Sequence, residues 1–371
     1  MGNRLPVPQS QMGLGKGRNA VKVCIYGLGA IGGWLAYKLA KAKLPVDVTA
    51  IARGRILEAV ADSGISVQDD DRLSTANVKV SGDPALLGEQ DIVLLTIKGT
   101  ALLDVSEHIQ PLIGPHTLVV SCMNGIPWWF SQVGPFAQNP IPLPSIDPDG
   151  SVAKTIPPSQ CLGMLVHASC SVLGAGLVRH HAGNRVVLGD PSDAHSVRVQ
   201  EVASLLSSTG LDVVVSDEVH AEILYKLWGN LTSGPIAVLT EATLDRQLDC
   251  QLVRNFSRQV MDEVSEIARQ LGIPLSSLPE EKLRISRRLG AITPSMLQDS
   301  KAGKPLELEA FFGPVRDLAR FTSTATPFID ALEGLLRLTS RANSPSSSNA
   351  GKAAKETRGS RRVKEKYSHG I

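Results

Sequence analysis

The sequence is short of aromatic residues: Phe, Trp and Tyr make up 4% of its 371 positions. That leaves few of the stacking platforms on which single-stranded nucleic acid is held. Cysteine is scarce too. Cys24, Cys122, Cys161, Cys170 and Cys250 are an odd number without C-x-x-C spacing, so neither a disulfide framework nor a structural zinc site is expected. A reducing compartment, the cytoplasm, fits that usage. No stretch approaches the roughly 18 consecutive apolar residues of a membrane helix, and residues 1–20 lack the apolar centre of a secretory signal. The chain opens with Met-Gly, but Pro6 stands where N-myristoylation wants Ser or Thr. Acidic residues are absent before Asp47, as in transit peptides, yet no Arg-rich amphipathic helix accompanies them, and Met12 is an alternative start.

What remains is the composition of a globular protein, 43% hydrophobic and long enough for about two domains. The net charge of +2 hides an asymmetry. Residues 341–371 hold eight Lys/Arg against two Asp/Glu, a local +6, so residues 1–340 carry +2 less +6, or −4. A mildly acidic body disfavours binding of nucleic acid, and the Ser- and Lys-rich tail is expected to be disordered. His180 and His181 are adjacent and cannot share one strand face, so no metal site is expected there.

From residue 21 short β-rich runs alternate with helical stretches. Strands are expected at 21–26, 45–52, 91–98, 117–123, 161–170, 176–181, 185–190 and 211–217, with helices near 31–43 and 100–110. That alternation means a mostly parallel sheet covered by helices. Residues 127–160 carry eight of the 23 prolines and are expected to form a long ordered loop or lid, in which Trp128 and Trp129 shape a pocket. Helical periodicity dominates 217–340, so a boundary near 200–217 separates α/β from all-α.

The first strand runs into "GLGAIG", residues 27–32, and a helix follows. In that context the glycines are a dinucleotide-binding turn: Gly27 for the tight turn, Gly29 for close approach to a pyrophosphate, Gly32 for helix packing. NAD sites want a carboxylate about 20 residues further on. Counting on from Gly32 leads instead to Ala52, Arg53, Gly54 and Arg55, a guanidinium suited to a 2′-phosphate, so NADP(H) is favoured. Lys98 closes a strand at its carboxyl end and adds charge toward the cofactor or is a plain surface lysine. Asn124, after the strand 117–123, is an uncharged donor at the same edge or one half of an Asn-Gly turn.

Further on, "ILYKLWGNLTSGPIAVLT", residues 223–240, reads as an amphipathic helix with Lys226 and Asn230 one turn apart beside Gly229, Ser233 and Gly234. Ser295 precedes a short apolar turn, and Glu307 opens another helix, where a carboxylate suits the helix dipole.

The stretches "GLGAIGG", "ARG", "NGIPWW", "SIDPDG", "YKLWGNL" and "SMLQD" followed by "GKPLELEA" occur in the order and spacing of the ketopantoate reductases (2-dehydropantoate 2-reductases), which residues 21–340 resemble. The resemblance implies a Rossmann domain at 21–205 and an all-α domain of the 6-phosphogluconate dehydrogenase type at 206–340, between disordered segments at 1–20 and 341–371. It implies reduction of ketopantoate to (R)-pantoate in pantothenate biosynthesis, with NADPH as donor. Lys226 falls on the catalytic lysine and Glu307 on the glutamate that orients it. Asn124, Asn230 and Ser295 fall on substrate contacts. Gly27, Leu28, Gly29, Ala30, Ile31, Gly32, Arg53, Lys98, Asn124 and Glu307 fall on the cofactor site.

The resemblance departs at Gly234, where the family usually has asparagine, and at Met123, where glutamine is common. Two alternatives therefore stand beside it: a reductase of a different 2-keto acid, and an NADPH-binding redox sensor without turnover. The expected partner is a small 2-keto acid, not nucleic acid or membrane. A homodimer is compatible with the sequence, and nothing in it requires one.

Overall fold

The protein's structure, a computed structural model, describes residues 20–193 and 195–342. What the sequence suggests of residues 1–19 and 343–371 lies outside the described residues. β1 (Val21–Tyr26), α1 (Ala30–Lys41) and β2 (Val46–Ile51) come first among the described residues as a parallel βαβ unit, and α2 (Gly54–Ser63) follows. Then come β3 (Ile65–Asp69), β4 (Arg72–Ala76), β5 (Lys79–Ser81), β6 (Ile92–Leu95), α3 (Leu102–His108) and β7 (Leu118–Ser121). A short α4 (Ser151–Thr155) precedes the long hairpin β8 (Cys161–Gly174) and β9 (Leu177–Gly189), then α5 (Val197–Ser207) and β10 (Asp212–Val215).

Among the described residues these strands form one sheet in the order β4-β3-β9-β8-β7-β6-β1-β2-β5, with β10 on the far half of β9. Only the β3/β4 and β8/β9 pairs are antiparallel. β6 and β7 are buried along their whole length, as strands covered on both faces must be. Since β1 pairs with β2 on one side and β6 on the other, the strand order reverses there and a crevice opens at their carboxyl ends.

Three expectations change. The strands expected at 176–181 and 185–190 are one strand, bulged where Gly183 takes φ +78°. The sheet runs on to Val215, past residue 205. The proline-rich segment 127–160 is an ordered loop, but its Trp128, Trp129 and Phe130 have no exposed surface and belong to the core instead of shaping a pocket. Each indole N–H is satisfied there, Trp128 on the carbonyl of Ile156 at 3.1 Å and Trp129 on Ser121 Oγ at 3.0 Å.

The helical part comprises α6 (Val219–Thr240), α7 (Leu244–Asp249), α8 (Gln251–Gln270), α9 (Pro279–Arg287), α10 (Ser295–Lys301), α11 (Leu308–Thr322) and α12 (Pro327–Ala342). α6 is its axis: Leu224, Leu227, Trp228 and Leu231 are buried against the rest. Among the described residues no helix is long and apolar enough to cross a membrane.

Candidate active site

At the crevice, Gly27 adopts φ +100°, and Thr96 Oγ1 at the end of β6 donates to its carbonyl at 2.7 Å. A Cβ on Gly32 would lie 1.9 Å from that same carbonyl oxygen, so only glycine lets α1 start this close to β1. Gly29, by contrast, faces open space within 4 Å. No side chain caps α1 and no acidic residue stands in its first turn. The helix N-terminus at Gly29, Ala30 and Ile31 is thus a bare set of amide donors, with Leu28 buried beneath it. These residues fit a pyrophosphate: the cradle is one that a Cβ at position 29 would fill.

Arg53 ends the segment after β2 and its Nη1 lies 2.8 Å from Asp104 Oδ2 of α3, both side chains more than half exposed. Asp104 was not expected in the site; 51 residues separate the pair, and only the fold brings them together. Lys98 Nζ does not stand free toward the crevice but meets Asp299 of α10 at 3.0 Å.

Between Asn124, after β7, and the helical part lies a cleft of about 160 Å³, open to solvent, that gathers Asn124, Asn230, Ser295 and Glu307. Its other walls are Ser233, Gly234, Met296, Leu306 and Phe311. Asn230 Nδ2 is buried without a hydrogen-bond partner. A buried amide donor left open is expensive unless a ligand takes it, and such groups mark binding sites.

Lys226 lines an adjoining recess of about 10 Å³, room for a single water, that shares Asn124 and Asn230 with the cleft. Its ammonium donates to the carbonyl of Val166 on β8 at 3.0 Å. Burial lowers its pKa to about 8; the nearby Cys122 opposes that and the ammonium of Lys282 adds to it. Glu307 caps α11, and its Oε1 accepts from the Gly99 amide at 2.8 Å. Burial raises its pKa, against the Gly99 hydrogen bond and the charge of Lys98. Among the described residues no ion pair joins Glu307 to Lys226, so the glutamate does not hold the lysine here. Gly229 faces open space but lines neither the cleft nor the recess beside Lys226. Gly234 does not face open space: a Cβ there would meet Met296 Cβ at 3.2 Å, because the methionine lies along the bare helix backbone.

Residues 23–193 match the family "Ketopantoate reductase PanE/ApbA", and residues 218–340 match "Ketopantoate reductase PanE/ApbA C terminal". The chain belongs to the ketopantoate reductase family. It is accordingly an oxidoreductase that uses a nicotinamide cofactor. The chain is 37% identical over 318 residues to the 2-dehydropantoate 2-reductase of Mesorhizobium japonicum, covering 85% of this chain and 97% of that one. A solved structure assigned to the ketopantoate reductases, from Ralstonia solanacearum MolK2, superposes with a TM-score of 0.82 at 39% identity, over 87% of this chain and 99% of that one. D-mandelate dehydrogenase, solved with NADH and anilino(oxo)acetate, shares the fold at a TM-score of 0.75 and 19% identity, over 87% of this chain and 99% of that one. Within this ketopantoate reductase fold, sequence reasoning missed Asp104, Asp299 and Met296. Asp299 lay inside the quoted "SMLQD" and carried no signal of its own beyond its sequence neighbours.

Proposed function

We propose that the protein reduces ketopantoate to (R)-pantoate with NADPH, Lys226 acting as general acid. The observation that carries this reading is the open donor of Asn230, buried one helical turn from a buried lysine and shared between their two cavities. Reduction of a 2-keto acid builds negative charge on the C2 oxygen. A reduced nicotinamide bound at the crevice supplies the hydride. Lys226 supplies the proton: with its pKa lowered to about 8 it is still an ammonium at neutral pH, yet gives up the proton more readily than a free lysine at about 10.4. Its charge also stabilises the oxyanion before transfer. Asn230 and Asn124 hold substrate oxygens, and Ser295 meets the carboxylate. Glu307 anchors the helical wall of the cleft to the loop at Gly99. Arg53 reads the 2′-phosphate.

A second reading, a different 2-keto acid on the same chemistry, is favoured by Met296. Where a polar side chain at position 234 would reach into the cleft, methionine, Leu306 and Phe311 present an apolar wall. The test is NADPH consumption with ketopantoate beside a panel of 2-keto acids. Fastest turnover of ketopantoate supports the proposal; preference for an acid with a wholly apolar tail supports the second reading. Binding of NADPH without turnover of any acid would leave a redox sensor.

A further inference from the structure

The sequence offers no carboxylate after β2, where a dinucleotide site that accepts NADH needs an acceptor for the ribose 2′-hydroxyl. The fold supplies one from elsewhere. Asp104, in the first turn of α3, reaches back across the carboxyl edge of the sheet and places its Oδ2 2.8 Å from Arg53 Nη1. Both side chains are more than half exposed, so the pair is open to solvent instead of being sealed in the core. Tyr26, at the end of β1, interacts through its side chain with the guanidinium. A cation and an anion thus occupy one spot at the carboxyl edge of the sheet, just past the end of β2.

We infer that Asp104 is a cofactor-specificity residue: it opposes the 2′-phosphate of NADPH, accepts a hydrogen bond from the 2′-hydroxyl of NADH, and so narrows the preference that Arg53 alone would give. The inference rests on the reading of Arg53 as the 2′-phosphate residue. Its physics is local. A phosphate monoester carries about −1.5 to −2 near neutral pH, so it must share the guanidinium with a carboxylate that repels it. Arg53 offers five donors in a planar fork, and Asp104 keeps part of that fork from a bidentate contact with phosphate. A 2′-hydroxyl brings no charge. It donates to the carboxylate and leaves the ion pair intact.

The test is isothermal titration calorimetry of NADPH and of NADH with the full chain, its Asp104→Asn variant and its Arg53→Ala variant. An exposed ion pair adds little to folding, so neither substitution threatens the fold. Asp104→Asn is expected to tighten NADPH about five-fold and to weaken NADH about five-fold, opposite signs that a merely structural residue does not produce. Unchanged affinities, or affinities that fall together, would overturn the inference. Arg53→Ala separates the two levels. It is expected to abolish the preference for NADPH; if that preference survives intact, the reading of Arg53 itself fails and this inference goes with it.

Discussion

The Glu307 carboxylate accepts the Gly99 amide at 2.8 Å, which fastens the start of α11 to the loop that follows β6. The contact joins the two walls of the cleft, and it sits beside a second crossing, Lys98 to Asp299 at 3.0 Å. Glu307 therefore works on the shape of the cleft, and Lys226 is held by another group, the Val166 carbonyl.

Substitution distinguishes these roles. Glu307→Ala loses a hydrogen bond from the part-buried Gly99 amide and is expected to destabilise the protein by about 0.5–1.5 kcal/mol, while raising KM for the keto acid more than it lowers kcat. Glu307→Gln keeps an acceptor oxygen and is expected to keep the alkaline limb of the rate profile where it is. Thermal unfolding and steady-state kinetics check both, and a moved limb in Glu307→Gln would return the glutamate to Lys226.

The pH dependence of kcat/KM follows from the lysine. Its pKa is lowered, to about 8, so the ammonium is present below that pH and disappears above it. Activity is expected to fall about tenfold per pH unit beyond about 8. Lys226→Arg stays charged throughout and is expected to lose that limb along with most of the rate, because a guanidinium does not release its proton. A wild-type profile that is flat well above pH 8 contradicts the assignment.

Two glycines of the turn are expected to fail in different ways. Gly32→Ala drives a methyl to 1.9 Å from a backbone oxygen that cannot move aside, and should cost about 2–4 kcal/mol of stability. Gly29→Ala meets nothing in the protein and should leave the melting temperature unchanged while weakening dinucleotide binding at least about tenfold. Equal effects on binding and stability in the two variants would mean that the turn is structural only.

His220 reports on the core. Its Nε2 donates to the Phe130 carbonyl at 2.9 Å between the rings of Trp129, Phe130 and Phe136, and burial lowers its pKa from 6.5 to about 4. Between those values the unfolded chain takes up a proton that the folded chain refuses. Stability from this site is therefore present in full above pH 6.5 and drains away as pH falls toward 4, by about 3 kcal/mol in all. Denaturant unfolding at a series of pH values measures it, and His220→Phe should flatten that part of the curve.

Much of this was legible in the sequence where the signal is local. β1, the glycine turn and α1 are contiguous, and their periodicity and glycine spacing are set by one βαβ unit. β3, β4 and β5 were not legible, because "ISVQD", "RLSTA" and "KVS" are short and partly exposed, without the apolar run of a central strand. Asn124, Asn230, Ser295 and Glu307 share one cleft although up to 183 positions separate them, and family spacing, not periodicity, brought them together. Asp104 and Asp299 escaped both routes. Their partners lie 51 and 201 residues away, and a single carboxylate on a short helix announces nothing until the sheet fixes its neighbours.

The central claim is that Lys226 delivers the proton. Single-turnover reduction of ketopantoate at saturating NADPH, wild type against Lys226→Ala, tests it most directly, with NADPH affinity measured in parallel. A rate lower by about 10²–10⁴ with NADPH affinity unchanged is the predicted result. A variant that reduces ketopantoate within threefold of the wild-type rate would contradict it.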